Sequence, residues 1–214
     1  MFEIPNTKEL RKLYKAQVNS SKDRISARAR VSMIYDVENG FIVNALITDC
    51  VVGEDALAYR NMENAKEIVD ITKSILIFDR GYPSIELIMY LEDIGAKYIF
   101  RLQSQMYASE KRGMTTNDEW IDIKLDSDGR RKIRNQRLLK IAKEKKFQKC
   151  RMSKVILNTG EVEYWLSNIG KEEISEEEMK EAYYKRWQIE IGCDILKNKM
   201  HLENFAGKTK VTIE

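Results

Sequence analysis

Histidine is nearly missing from this sequence: His201 is the only one in 214 residues. A hydrolase triad built on an imidazole base is therefore a poor fit, and His201 reads as a surface or packing residue. Cysteine is sparse as well. Cys50, Cys150 and Cys193 are odd in number and widely spaced, which argues against a disulfide framework or a zinc site and fits a reducing cytoplasm. No apolar run approaches the length of a membrane span. Met1 leads straight into polar sequence, with no signal peptide in view. An excess of one charge is also lacking, since 37 basic and 34 acidic residues leave a net charge of +3. Any surface for nucleic acid must therefore come from local clustering. What remains is a chain with 33% charged and 43% apolar residues, the balance of a globular protein. Its length suits one large domain, or one domain carrying an insertion.

Residues 1–28 are polar and basic, and read as a loop with a short helix at Lys8–Tyr14. Residues 29–48 read as a β-hairpin. Val31, Met33 and Tyr35 alternate before the turn DVENG, and Phe41, Val43 and Ala45 after it, with Asp36 as a turn residue. Residues 54–73 carry helical spacing and an acidic start. The clearest α/β unit spans 74–103. The run SILIF predicts a strand buried on both faces, IELIMYLEDIGA a helix stopped near Gly95, and KYIFRL a second strand. Strand, helix and strand at this spacing imply a parallel crossover. Asp79 then falls at the carboxyl end of a strand, where open α/β sheets place ligands. A role in organising the turn DRGYPS fits the spacing equally well.

Residues 104–168 change character. WIDIKL and KVILNTGEVEYWLSNI alternate like strands, with DSDG and NTGE as turns. Between them, residues 129–154 are dense in Lys and Arg, with Glu144 the only acid. Such a block lies against a polyanion or is simply solvated. These boundaries predict a core in two parts, 1–103 and 171–214, split by a β-rich basic insertion at 104–170.

The stretch that concentrates chemistry is Glu181–Met200, EAYYKRWQIEIGCDILKNKM, following the acidic run SEEEM. Tyr183, Arg186, Glu190 and Lys197 are separated by two, three and six residues. On one continuous helix they fall within roughly 60° of each other. Ala182, Ile189, Cys193, Leu196 and Met200 form an apolar stripe beside them. The row spans roughly 21 Å, too long for one small ligand and suited to an extended polyanion, with cations on either side of a metal-holding carboxylate. An i,i+4 ion pair between Arg186 and Glu190 on a solvated face is the other reading of the same spacing.

These pieces resemble the DDE transposases of bacterial insertion sequences, in particular the group with a Y-x2-R-x3-E-x6-K signature. Tyr183, Arg186, Glu190 and Lys197 match that signature, and the turn FDRGYPS places Asp79 where the family has its second catalytic aspartate. The likeness runs from about Ile4 to the end of the chain. It implies a ribonuclease H-like α/β fold, a mixed sheet with a β-rich insertion, and DNA cleavage and strand transfer at transposon ends by two divalent ions. The ions would be Mg²⁺, with Mn²⁺ as a substitute. Asp79 and Glu190 would be catalytic metal ligands. Tyr183, Arg186 and Lys197 would hold DNA, joined by Arg80 in the DRGY turn; Trp165 is a candidate stacking platform for a flipped base, although a tryptophan in a strand is more often a core residue. Family members work on paired transposon ends as a synaptic dimer, in the bacterial cytoplasm and with no membrane. The family's first aspartate precedes a stretch like Ile4-Pro5-Asn6-Thr7, and no residue here matches it. The expectation is therefore a fragment without strand-transfer activity, left marginally stable by an exposed strand edge. Two other readings stay open: a non-catalytic DNA-binding remnant, and a ribonuclease H-type nuclease with Asp49 as third acid.

Overall fold

The computed structural model describes residues 2–15, 17–19 and 24–194. Lys197 and His201 lie outside them, as do Leu196 and Met200 of the expected apolar stripe. The chain is mixed α/β and divides into two compact units, 1–69 with 187–214, and 70–186.

The first unit opens with β1 (Phe2–Glu3) and α1 (Lys8–Leu13), followed by a small antiparallel pair, β2 (Gln17–Asn19) and β3 (Arg24–Ser26). Thr7 caps α1 by accepting a hydrogen bond from the Leu10 amide at 3.2 Å. The expected loop at 1–28 therefore holds three short strands as well as its helix. These are too short to show a period of two. The expected hairpin is present as β4 (Arg28–Asp36) and β5 (Phe41–Thr48), and β1 pairs antiparallel with β4. Asp36 is the turn residue foreseen: its carboxylate accepts from the Glu38 amide at 2.9 Å and the Asn39 amide at 3.0 Å. Ile4, Leu10, Tyr14, Ala27 and Ala29 form the core cluster here.

Helix α2 (Glu54–Ala65) ends eight residues before the predicted stop, and a 3-10 turn follows at Ile71–Lys73. A buried polar chain ties α2 to the hairpin. Asn44 donates to Asn61 at 2.5 Å, and Asn61 donates to Ser32 at 3.1 Å.

The second unit is a five-stranded mixed sheet in the order β6-β7-β10-β9-β8. β6 (Ile75–Phe78) and β7 (Lys97–Arg101) are parallel and joined through α3 (Ile85–Asp93), the predicted crossover. Gly95 takes a positive φ of 71° at the end of that helix, as a glycine stop requires. One expectation fails here. β6 is not buried on both faces but is the edge strand of this sheet, and Ile75 is 38% exposed. A short apolar run does not distinguish an edge strand from a central one.

After α4 (Ala108–Gly113), strand β8 (Asp118–Lys124) leads to α5 (Ser127–Arg131) and α6 (Gln136–Glu144). The expected turn DSDG is instead the start of α5, with Asp126 accepting from the Gly129 amide at 3.0 Å. The basic block thus begins in two short helices and ends in β9. Glu86 of α3 accepts from the Arg134 and Asn135 amides at 2.9 and 2.7 Å, and Arg137 reaches Asp93 at 2.9 Å. β9 (Phe147–Ile156) and β10 (Val162–Ser167) form a hairpin whose tip holds Gly160 at φ 83°. Because β10 pairs with β7, the strands of the insertion extend the same sheet that carries β6.

The signature stretch is not one helix. α7 (Glu176–Tyr184) ends at Lys185, and α8 (Trp187–Asp194) begins two residues later. At the break the Arg186 amide bonds to the Tyr183 carbonyl at 3.0 Å, three residues back, so the last turn tightens. α7 starts on a full capping box between Ser175 and Glu178. It packs Ile174, Met179 and Tyr183 on Ile99, Val155 and Trp165 of the sheet.

Candidate active site

Strand pairing puts the first two charges of the site side by side. Phe78 stands opposite Phe100 in the parallel pair β6–β7, so the next residue of each strand, Asp79 and Arg101, lies at the same end of the sheet. The Asp79 carbonyl accepts the Tyr82 amide at 3.1 Å, which closes the turn. Gln103 donates to the Arg80 carbonyl at 3.0 Å, and Ser84 caps α3 through the Leu87 amide at 3.2 Å. The loop is therefore tied at both ends, and it presents Asp79 at 39% side-chain exposure.

Asp79 has two guanidinium neighbours. Arg101 Nη1 lies 3.8 Å from Oδ1 and Arg186 Nη1 lies 3.8 Å from Oδ2. Oδ1 also accepts the Arg80 amide at 2.7 Å. Arg101 turns its other nitrogen, Nη2, to Glu163 on β10, and pairs with it directly. The second oxygen of Glu163 accepts Trp165 Nε1 at 3.0 Å. The ring of Trp165 stacks on Tyr183 with centroids 4.6 Å apart, and the Arg186 guanidinium sits 5.9 Å from the Tyr183 ring centre. Burial pushes the Tyr183 phenol well above its ordinary pKa, and the nearby Asp79 charge adds to that, so the ring stays neutral. Its hydroxyl is buried and finds no hydrogen-bond partner among the described residues.

Four of the residues singled out from the sequence are thus gathered at one end of one sheet: Asp79, Arg186, Tyr183 and Trp165. Arg80 adjoins them and is exposed. One expectation changes. Trp165 is 1% exposed, so both ring faces are covered and it is a core residue, not an open platform for a base. Tyr183 is 5% exposed and belongs to the helix face that packs on the sheet, in keeping with a row that borders the apolar stripe. Glu190 is exposed on α8, in the other unit. There, a side chain at Gly192 would come within 3.1 Å of Tyr35, so the glycine permits a close approach of α8 to β4. Arg101 and Glu163 were not foreseen. The signal for Arg101 was available, in the alignment of ILIFD with YIFR.

The donor chemistry suits a hard divalent cation in kind. Asp79 offers carboxylate oxygen, open to solvent, with no thiolate or imidazole among its described contacts. In number it falls short, since no group of three acidic, histidine or cysteine side chains able to hold a metal occurs among the described residues. Asp49 is occupied as a turn organiser. It accepts from the Val51 and Val52 amides at 3.0 and 3.2 Å and pairs with Lys15 at 3.2 Å. Burial works against its ionisation, but these contacts outweigh burial and lower its pKa.

No helix among the described residues is long and apolar enough to cross a membrane. A family model described as "Transposase DDE domain" matches residues 4–214. No curated protein matches the chain.

Proposed function

The chain belongs to the transposase DDE-domain family, and from that premise we propose that it acts on transposon ends through Asp79 and Glu190 as metal-holding carboxylates. Its mixed α/β architecture is the ribonuclease H-like fold of that family. Transposition is the family's function, DNA its substrate, and divalent metal its usual cofactor. Mg²⁺ is the ion we assign, with Mn²⁺ able to replace it, since both accept carboxylate oxygen and leave positions open to phosphate and water. When bound, such ions lower the charge barrier to in-line phosphoryl transfer and activate the attacking hydroxyl.

The protein's own residues do the holding. Arg186 offers a planar fork of donors beside Asp79, suited to a phosphate oxygen. Arg80 extends the same cationic rim, and Lys197 is assigned a phosphate by the signature alone. The Arg186 guanidinium lies near the Tyr183 ring, and the buried Tyr183 hydroxyl, without a partner among the described residues, is a further donor at the site. The basic insertion, with Lys140, Lys143, Lys145 and Lys146 on or after α6, would grip backbone without reading sequence. Two copies would hold two ends in a synaptic complex, in the cytoplasm where the DNA lies.

The observation that carries this reading is the carboxylate at the strand end flanked by two arginines and a buried, unsatisfied phenol. A second reading is that DNA is held but not cut, and it is motivated by the single carboxylate between two arginines at this end of the sheet. Both are tested by incubating the chain with supercoiled DNA in Mg²⁺ and in Mn²⁺, beside Glu190→Ala, and by measuring DNA retention across a salt series. We expect retention that falls steeply with salt; retention without nicking in either metal would favour the second reading over the catalytic one. Nicking abolished by Glu190→Ala would support the catalytic reading and overturn the second. Failure to retain DNA at low salt would overturn both.

A further inference from the structure

We propose that the outer edge of β8 is a dimer interface, across which a second copy of this chain adds its own β8 antiparallel about Ile121. The proposal needs neither DNA nor metal, so it stands or falls apart from the reading of Asp79.

β8 is the last strand of its sheet, and no strand lies on its far side among the described residues. Main-chain groups alternate along a strand between its two sides. The Asn117 carbonyl accepts from the Lys154 amide at 2.6 Å, and the Leu125 amide donates to the Lys146 carbonyl at 3.0 Å, so the odd-numbered residues face β9. Asp118, Trp120, Asp122 and Lys124 therefore turn their main chain outward. Both ends of that edge are closed. The Asp118 carbonyl accepts from Thr116 Oγ1 at 3.0 Å and from Lys171 Nζ. A side chain at Gly129 of α5 would come within 3.2 Å of the Lys124 carbonyl, so α5 covers that oxygen. Trp120 and Asp122 remain, and nothing among the described residues bonds to their main chain from the outer side.

This opening is complementary to itself. On a two-fold axis at Ile121, Trp120 of each copy meets Asp122 of the other, and four hydrogen bonds close the seam. Ile121 meets Ile121 on one face of the sheet. On the other face, the 41% exposed Trp120 ring, with Lys149 Nζ 5.8 Å from its centre, comes beside a carboxylate, and Lys124 comes opposite Asp118. Sliding the second copy by two residues sets Asp122 against Asp122 in one direction and Asp118 against Asp122 in the other. Like charges directly opposite are destabilising, so hydrogen bonding and charge select one register.

The test is the oligomeric state of the whole chain by sedimentation equilibrium, with no DNA or metal present. We expect a reversible dimer. Asp122→Pro removes the outward amide from both copies and no bond to β9, a change that an edge strand tolerates. It should weaken the dimer by at least about tenfold. Lys124→Glu sets an acid against Asp118 and should weaken it by about fivefold. Register is read by oxidation in a Cys193→Ser background. Ile121→Cys places two thiols on Cα atoms about 4.5 Å apart, within disulfide reach, and should crosslink the dimer. Lys124→Cys, whose two copies lie roughly 20 Å apart, should not. A monomer at every concentration overturns the proposal. So does a dimer that Asp122→Pro leaves unmoved, or one that crosslinks through Lys124→Cys and not through Ile121→Cys. Thermal unfolding checks that each variant folds. Should Asp122→Pro not fold, Lys124→Glu and the crosslinks decide.

Discussion

Two aspartates on one sheet show how the same pair of residue types is put to opposite uses. Asp118 lies at the start of β8. It receives two bonds from Arg151 at 2.9 Å, one from Ser153 at 2.8 Å, and an ion pair from Lys171 at 3.3 Å. Arg151 is only 1% exposed, and its third nitrogen donates to the carbonyls of Ile169, Gly170 and Ile174. Every side-chain nitrogen and oxygen of that pair has a partner. Asp79 also has two cations near it, but both stay at 3.8 Å. The first arrangement is finished and holds the fold. The second keeps capacity for something outside the protein.

The contrast can be broken from the structural side first. Arg151→Ala leaves Asp118 without its bidentate partner and three carbonyls without their donor. We expect a loss of about 3–5 kcal/mol, the range for a buried charge stripped of its partner, read as a lowered midpoint in urea. A loss below about 1 kcal/mol would place this pair among ordinary surface bridges.

Acid sharpens the same contrast. Burial disfavours the Asp118 carboxylate, but Arg151, Ser153 and Lys171 outweigh it and hold the carboxyl below its usual range. A depressed folded-state pKa gives stability that is present above the unfolded carboxyl value of about 3.9 and is lost as pH falls through the folded one. Asp118→Asn should therefore cost stability at neutral pH and flatten the decline below about pH 4. An acid limb that is unchanged in Asp118→Asn would assign that decline to other carboxylates.

The smallest effect is expected at Asp79. Asp79→Asn removes a charge that neither flanking guanidinium approaches closer than 3.8 Å, and its amide oxygen can still accept the Arg80 amide, so stability should move by no more than about 0.5 kcal/mol in a thermal melt. A loss of several kcal/mol would show that Asp79 is as structural as Asp118.

Sequence periodicity carried the fold furthest where contacts are local. The hairpin around Asp36, the crossover from β6 through α3 to β7, and the strand-end position of Asp79 all follow from runs, turns and caps that lie within a few residues of each other. Pairings distant in sequence were not legible. Trp165 faces Arg101 across β10 and β7, sixty-four residues apart in sequence, and nothing local in VEYWLS says which of its side chains meets the site. Tyr183 was expected in a row beside an apolar stripe, on one helix drawn through Lys185 and Arg186. With the break, the face that counts is Met179 and Tyr183, one turn apart. In the basic block, Lys and Arg obscured a short amphipathic helix, although Asn135 is a good cap, accepting from the Arg137 and Leu138 amides at 2.9 and 3.2 Å, and Leu138 and Ala142 share its buried side.

The three carbonyls gathered by Arg151 carry a consequence for chain length. They belong to the short connection between β10 and α7, and all must point at one guanidinium nitrogen. An extra residue between Gly170 and Ile174 would pull at least one of them away and shift the register of α7 beneath Arg186. The tip of the β9–β10 hairpin, at Thr159 and Gly160, is exposed and has no such convergence. A peptide tag or a labelling site belongs there, and the five residues from Gly170 to Ile174 are a gap of fixed length.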